Sequence, residues 1–311
     1  MFSKATAKAR AYTRPIIVSV RYYDGTVEAS VGTMFYVSPD GWACTASHIL
    51  NSFAQFQADQ KKIKEAAEMN AKNPGSVVLA PKTIVNHSVW LGQDQVRFSK
   101  LVVYRQFDVA FLKLENVRDI TALPIFRDPR SFALGTSLCR FGYFLDTVPT
   151  EFHEDTKSFS IPKEAFPLHP IVLETMHAQD PLVRSPDGKL GVQFIHLSNP
   201  ALKGQSGGPV YDSEGKIYGM QIMNTSVNLQ MASPVRKDNP NSPVENQFLN
   251  LGVAVHAGIL ADLMRGLGID FITDDGVPAV KTPKPPEKKP EARKDEPDVY
   301  VGSDGDKYII E

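Results

Sequence analysis

The stretch Lys203-Gly204-Gln205-Ser206-Gly207-Gly208-Pro209-Val210 decides how the rest of the chain is interpreted. It places one serine in a tight, glycine-rich loop directly before an apolar strand. A serine hydroxyl is a weak nucleophile at neutral pH, so a catalytic serine needs a base within hydrogen-bond reach. If this loop catalyses acyl transfer, the chain must supply a histidine and an acid elsewhere.

Two further stretches supply those groups. Thr45-Ala46-Ser47-His48-Ile49 ends an alternating apolar run, and Phe107-Asp108-Val109-Ala110-Phe111-Leu112-Lys113-Leu114 places one acid ahead of a strand. We interpret His48 as the base that takes the proton of Ser206, and Asp108 as the acid that orients His48. Taken singly, the three residues have ordinary alternatives: a turn serine, a core or surface histidine and a cap at a strand start.

The pattern of the chain is mostly β. From Pro15 onward, short alternating segments are separated by turn signals such as Asp24-Gly25. Many short strands without βαβ alternation predict an all-β barrel or sandwich. Apolar residues at helical spacing predict two exceptions, an amphipathic helix over 51–72 and a helix over 257–266.

The three stretches together resemble those of the chymotrypsin-fold, or trypsin-like, serine proteases, and most closely the HtrA-like and other disulfide-free bacterial branches. Their order along the chain, His48, then Asp108, then Ser206, is also the order of that family. The resemblance implies two six-stranded antiparallel β-barrels, with a helical insertion after the histidine loop and a C-terminal helix. It also implies that the amides of Gly204 and Ser206 donate to the oxyanion.

The resemblance and the composition divide the chain into five parts. These are a flexible N-terminal arm (1–14), a first barrel with His48 and Asp108 (15–118), a second barrel with Ser206 (119–270), a disordered Pro/Lys/Glu linker (276–297) and a tail segment (298–311). The tail regains apolar residues, so we expect it to bind a protein partner or fold back near the active site. The roughly 40 residues after Asp270 are too few for the PDZ domain that HtrA-like enzymes usually append.

The same resemblance locates the S1 pocket, which receives the substrate residue before the cleaved bond (P1). Its expected residues are Pro200, Ala201, Leu202, Gln221, Ile222, Met223, Asn224 and Ala254. Pro200 at the base excludes the acidic group that selects Lys or Arg, so we expect a small or medium apolar P1 residue. A polar P1 residue stays open, because Gln221 takes the place of a histidine that reads Glu or Gln in related viral-type proteases.

Two positions depart from the pancreatic pattern. Gln205 replaces the aspartate that pairs with a newly cut N-terminus, so we expect no activation by N-terminal cleavage. Ile49 follows His48 where the family's disulfide would begin, and the chain has only two cysteines, Cys44 and Cys139. Such sparse cysteine usage favours a reducing, cytoplasmic location. The basic, acid-free residues 1–14 also suit an organellar transit peptide.

The sequence therefore predicts a serine endopeptidase that acts on polypeptides through a Ser-His-Asp triad, with no metal or organic cofactor. A net charge of −1 argues against a general electrostatic hold on nucleic acid or an anionic membrane. The alternative is a catalytically weak, protease-like scaffold that binds peptides.

Overall fold

In the computed structural model, the described residues are 1–118, 120–144, 148–184, 190–232, 246–274, 298–301 and 307–310. The first half of the chain contributes six antiparallel strands: β1 (Thr13–Tyr22), β2 (Val27–Tyr36), β3 (Trp42–Ala46), β4 (Ile84–Trp90), β5 (Arg97–Tyr104) and β6 (Val109–Glu115). In the first sheet these strands lie in the spatial order β4-β1-β2-β3-β6-β5. Among the described strands β4 and β5 do not pair, so this sheet is an open half-barrel.

Six strands of the second half close into a complete antiparallel barrel. The strands of this half are β7 (Ile125–Phe126), β8 (Ser137–Tyr143), β9 (Glu151–His153), β10 (Ser158–Ser160), β11 (Pro170–Gln179), β12 (Leu182–Arg184), β13 (Leu190–Val192), β14 (Phe194–Leu197), β15 (Pro209–Tyr211), β16 (Lys216–Ala232), β17 (Asn246–His256) and β18 (Ile272–Thr273). The barrel strands lie in the order β15-β8-β11-β14-β17-β16, and pairing of β15 with β16 closes the ring. The predicted double-barrel fold is confirmed, with the second barrel closed and the first open as a half-barrel.

Within the described residues, three α-helices accompany the sheets: α1 (Ser3–Tyr12), α2 (Asn51–Lys72) and α3 (Ala257–Leu267). The helical insertion and the closing helix are confirmed as α2 and α3. The ring nitrogen Nδ1 of His256 accepts from the Gly258 amide at the start of α3, and Gly268 ends the helix with a left-handed φ of 68°. No helix in the described part of the chain is both long and apolar enough to cross a membrane.

The N-terminal segment is a docked helix, so the expectation of a flexible arm over residues 1–14 is wrong. One face of α1 is buried against the second barrel, where the Thr6 and Tyr211 hydroxyls lie 3.0 Å apart. The buried residues of the helix are Ala5, Ala9 and Tyr12. The spacing of these residues is helical, but alanines contribute little hydropathy. Together with four nearby basic residues, this makes the segment resemble a solvent-exposed arm in the sequence.

The C-terminal tail forms a hairpin on the first sheet. Strands β19 (Asp298–Val301) and β20 (Lys307–Ile310) pair with each other, and β20 lies parallel to β5 with Ile309 beside Val102. The predicted linker over 276–297 lies outside the described residues.

One large hydrophobic core joins the two sheets. It includes Phe35 and Phe111 from the first sheet and Phe141 and Met220 from the second. Cys44 and Cys139 are buried free thiols, and Cys44 Sγ lies 3.5 Å from Met220 Sδ across this junction. Because both sheets share this core, loops from the two halves meet above it, where the candidate site lies.

Candidate active site

The histidine comes from a short turn at the end of β3. Residues Ser47–Leu50 form one turn of 3₁₀ helix directly after Ala46. The Ser47 amide donates to the backbone oxygen of Asp108 at 3.0 Å, and the His48 amide donates to Asp108 Oδ1 at 2.9 Å. These two hydrogen bonds hold the backbone of the histidine turn against Asp108, independently of the imidazole.

The imidazole and the carboxylate form a direct pair. His48 Nδ1 lies 2.6 Å from Asp108 Oδ2, and Ser47 Oγ donates to Asp108 Oδ1 at 2.8 Å. Asp108 has a left-handed φ of 55° because it ends a 3₁₀ turn just before β6. A proton on Nδ1 leaves the other ring nitrogen of His48, Nε2, free to accept one.

Asp108 is held in its ionised form. Burial by itself raises the pKa of this carboxyl, but the hydrogen bonds from His48 and Ser47 outweigh burial and leave the pKa below its ordinary value. An ionised Asp108 at neutral pH can stabilise a positive charge on His48.

The serine loop is pressed against the first barrel close to the histidine turn. Gly207 has a φ of 81°, and a Cβ on it would lie 2.0 Å from the Thr33 carbonyl oxygen and 2.9 Å from the Ala46 amide nitrogen. Ala46 is only two residues before His48. Glycine at 207 is thus required for the approach that brings Ser206 to the histidine side of the cleft.

Thr33 of β2 joins the two halves at this point. Its amide donates to the Ser206 carbonyl at 2.9 Å, and its hydroxyl donates to the Gly204 carbonyl at 2.7 Å. The same hydroxyl accepts from the Tyr143 amide at 3.0 Å, and the Thr33 carbonyl accepts from Thr45 Oγ1 at 2.7 Å. The loop conformation therefore depends on Thr33, a residue of the other half of the molecule that lies outside the three sequence motifs.

The nucleophile itself is turned toward the substrate wall. Ser206 Oγ donates to the Ile222 carbonyl at 3.1 Å, and no hydrogen bond joins it to His48 among the described side chains. The structure thus pairs two of the three predicted catalytic residues directly. It holds the third on the loop that packs beside them.

The two predicted oxyanion donors have no acceptor within the described residues. Gly204 adopts a φ of 92°, and a Cβ on it would lie 2.2 Å from the Tyr143 carbonyl oxygen. The fully buried Gln205 supports this loop from inside, because its Oε1 accepts from the Leu202 amide at 2.9 Å. The backbone amides of Gly204 and Ser206 are therefore left free to bind an anionic oxygen.

Residues 32–220 match the family model of the trypsin-like peptidase domain. The chain belongs to the trypsin-like peptidase family. This match covers more than half of the chain and includes His48, Asp108 and Ser206, so the resemblance to trypsin-like serine proteases is confirmed. No curated protein matches the chain.

Several solved structures are similar to this trypsin-like peptidase. The HtrA-type protease AlgW with a tripeptide is 14% identical, with 86% of this chain and 63% of that chain covered and a TM-score of 0.46. The Rv3671c protease from M. tuberculosis, active form, is 14% identical, with 88% of each chain covered and a TM-score of 0.45. This chain spans 63% of the length of AlgW.

The residues expected to line the S1 pocket do not all offer their side chains to a substrate. Ala254 is fully buried in the core of the second barrel with Ile195 and Tyr218, so its expected place in the pocket wall is wrong. Ile222 is also buried, and it contributes its carbonyl oxygen instead.

The other S1 candidates differ in exposure. Pro200, Met223 and Asn224 are exposed, and Ala201 and Leu202 are partly buried. Gln221 is almost fully buried and donates to the carbonyls of Met223 and Val253, at 2.7 and 3.0 Å. Both amide hydrogens of Gln221 are therefore used within the protein.

Sequence reasoning missed one charged residue behind this region. Arg140 of β8 is fully buried and donates to Asn199 Oδ1 at 2.5 Å, to the Pro200 carbonyl at 2.9 Å and to Gln221 Oε1 at 3.3 Å. The available signal was an arginine in the otherwise apolar strand Ser137–Tyr143. Burial lowers the pKa of Arg140 to about 10, so the side chain stays charged at neutral pH.

Proposed function

We propose that this trypsin-like peptidase is a serine endopeptidase that cleaves polypeptides through an acyl-enzyme intermediate. Ser206 is the nucleophile, His48 the general base and acid, and Asp108 the group that orients His48. The observation that carries the proposal is the 2.6 Å pair of His48 and Asp108, held beside a serine loop with two free amides.

In the first step, Ser206 Oγ attacks the carbonyl carbon of the cleaved bond while His48 Nε2 takes its proton. The carbonyl π electrons move to oxygen, and the Gly204 and Ser206 amides donate to the resulting anion. Collapse of this intermediate breaks the C–N bond, and His48 passes its proton to the leaving amine. Water then repeats the sequence on the ester, with His48 again as base, and releases the acid and free Ser206.

The proposal requires Ser206 Oγ to turn from the Ile222 carbonyl to His48 when substrate binds. Catalytic hydrogen bonds are often long or absent in free enzymes and form in the substrate complex. The Ile222 carbonyl belongs to the strand with which a substrate backbone would pair. The bound peptide would therefore lie beside this carbonyl and displace the Ser206 hydroxyl from it. The proposed P1 residue is small or medium and apolar, and the tail 298–311 is a proposed site for a protein partner.

A second candidate function is a catalytically weak scaffold that binds peptides. The observation that favours it is the direction of the Ser206 hydroxyl, which donates to Ile222 and not to His48. In a scaffold, Ser206→Ala would change neither peptide binding nor the low rate of cleavage. In a protease, the same variant would abolish turnover.

The deciding experiment is cleavage of an unstructured protein by the full chain and by Ser206→Ala and His48→Ala. Each variant should lower kcat by about a millionfold, because the residues act as one unit. Ser213→Ala is the matched control: this exposed serine lies in the turn between β15 and β16, so the variant should cleave at the wild-type rate. Wild-type turnover by Ser206→Ala would contradict the proposal.

A further inference from the structure

Asn224 bridges the two segments that form the walls of the proposed S1 pocket. Asn224 Oδ1 accepts from the Ala201 amide at 2.7 Å, and Asn224 Nδ2 donates to the Ala201 carbonyl at 2.9 Å. These two bonds join β16 to the loop that leads to Ser206. Because both polar ends of the carboxamide are paired, its orientation between the two walls is fixed.

A second set of contacts fills the space deeper in the pocket. A Cβ on Gly252 of β17 would lie 2.7 Å from Arg140 Nη1 and 2.9 Å from the Asn199 carbonyl oxygen. The guanidinium therefore occupies the volume that a side chain at 252 would take. It also donates to the carbonyl of Pro200, the residue that the resemblance to trypsin-like proteases places at the base of S1.

The charge at this base is not neutralised nearby. All three acceptors of Arg140 are neutral, its Nε has no hydrogen-bond partner, and no described carboxylate lies within 4.0 Å of it. A buried charge without a counter-ion exerts a strong field on its surroundings, since little water screens it. Gln221 cannot read a substrate with its amide group, because both of its hydrogens are donated to backbone carbonyls.

From this arrangement we infer that Asn224 limits the depth of S1 and that Arg140 makes its floor positive, so that the enzyme cleaves after small, uncharged residues and rejects Lys and Arg. This inference rests on the proposed function and narrows it. Asn224→Gly should open the pocket toward the cation, and the opened pocket should accept the longer, negatively charged side chain of Glu.

The test compares kcat/KM for peptides that differ only at P1, with Ala, Leu, Gln, Glu or Lys. The wild type should prefer Ala over each longer residue by at least tenfold. Asn224→Gly should raise the Glu-to-Ala ratio at least tenfold and prefer Glu over Gln, with no gain for Lys. Asn250→Gly changes an exposed asparagine of β17 that accepts from Ser226; it is the matched control and should keep the wild-type ratios.

The role of Arg140 is tested in the opened pocket. Adding Arg140→Met to Asn224→Gly should abolish the preference of Glu over Gln. If the double variant does not fold, the Glu-to-Gln ratio of Asn224→Gly alone still decides, because the two substrates differ only in charge. A wild type that cleaves after Leu as well as after Ala, or an Asn224→Gly enzyme with unchanged ratios, would overturn the inference.

Peptide-binding measurements on variants without the nucleophile test this inference independently of the proposed function. Peptides ending in Ala, Leu or Glu are bound to Ser206→Ala and to Ser206→Ala/Asn224→Gly and followed by fluorescence polarisation. The inference predicts tighter binding of the Ala peptide to the first and a gain for the Glu peptide in the second, whether or not the wild type turns over. Equal affinities of all three peptides in both proteins would refute it, whereas absent cleavage with the predicted affinities would refute only the proposed function.

Discussion

Replacement of Thr33 by valine removes one hydroxyl and changes little else in shape. That hydroxyl donates to the Gly204 carbonyl at 2.7 Å and accepts from the Tyr143 amide at 3.0 Å. Both partners are buried, so the variant leaves one acceptor and one donor without a bond. Each unsatisfied buried group costs about 1–3 kcal/mol, so Thr33→Val should lower the free energy of unfolding by about 4 kcal/mol.

Thr33→Val should also lower kcat, because it disturbs the serine loop. The Thr33 hydroxyl fixes the peptide plane after Gly204, whose amide is a proposed oxyanion donor, and loss of one whole donor costs about 10²- to 10³-fold in kcat. A donor that is misdirected and not deleted should cost less, about tenfold to a hundredfold. KM should change little, because the P1 pocket is untouched.

Urea denaturation and steady-state cleavage measure the two effects separately. Thr13→Val is the matched control, because this buried threonine donates its hydroxyl to the Ala9 carbonyl far along the chain from the serine loop. It should cost about 1 kcal/mol of stability and leave kcat unchanged. If Thr33→Val loses stability but keeps the wild-type kcat, the loop does not depend on Thr33 and the reasoning is refuted.

Three further perturbations follow from the structure. Asp108→Asn should lower kcat by about 10⁴-fold, since the amide cannot hold His48 in the required tautomer, and an unchanged kcat would contradict the role of Asp108. Burial lowers the pKa of His87 to about 4. The unfolded chain therefore takes up a proton near pH 6.5 that the folded chain refuses, and the free energy of unfolding should fall by up to about 3 kcal/mol as the pH drops from 6.5 to 4. His87→Phe should abolish this decrease in the free energy of unfolding, as measured by urea denaturation at each pH. A variant with the same pH profile as the wild type would contradict the role of His87. Ending the chain after Asp274 removes β20 and uncovers the edge of β5, so sedimentation velocity should detect larger species, and an unchanged distribution would contradict a protective role for the hairpin.

The sequence predicted the fold well, because its strands and helices depend on short-range patterns. Alternation marks the strands, and helical spacing marks α2. The loop around Ser206 needs glycine at fixed offsets, and the structure shows why: at Gly207 and Gly204 a Cβ would meet backbone atoms at 2.0 and 2.2 Å. Such local constraints leave a local signature.

What the sequence did not predict depends on contacts between distant positions. Arg140 meets partners that are 59, 60 and 81 residues away, so nothing beside it in the chain indicates its surroundings. Ala254 was expected in a pocket wall, but the strand pleat turns it into the barrel core. The docking of α1 rests on small side chains that fit closely and have little hydropathy.

The most direct test of the central claim is covalent labelling with a fluorophosphonate, followed by mass spectrometry of the modified peptide. If Ser206 is a nucleophile activated by His48, the folded protein should acquire one adduct on Ser206. The adduct should be absent from Ser206→Ala and should form far more slowly in His48→Ala. A folded wild type that is not labelled, or labelling that persists at the same rate in either variant, would contradict the account.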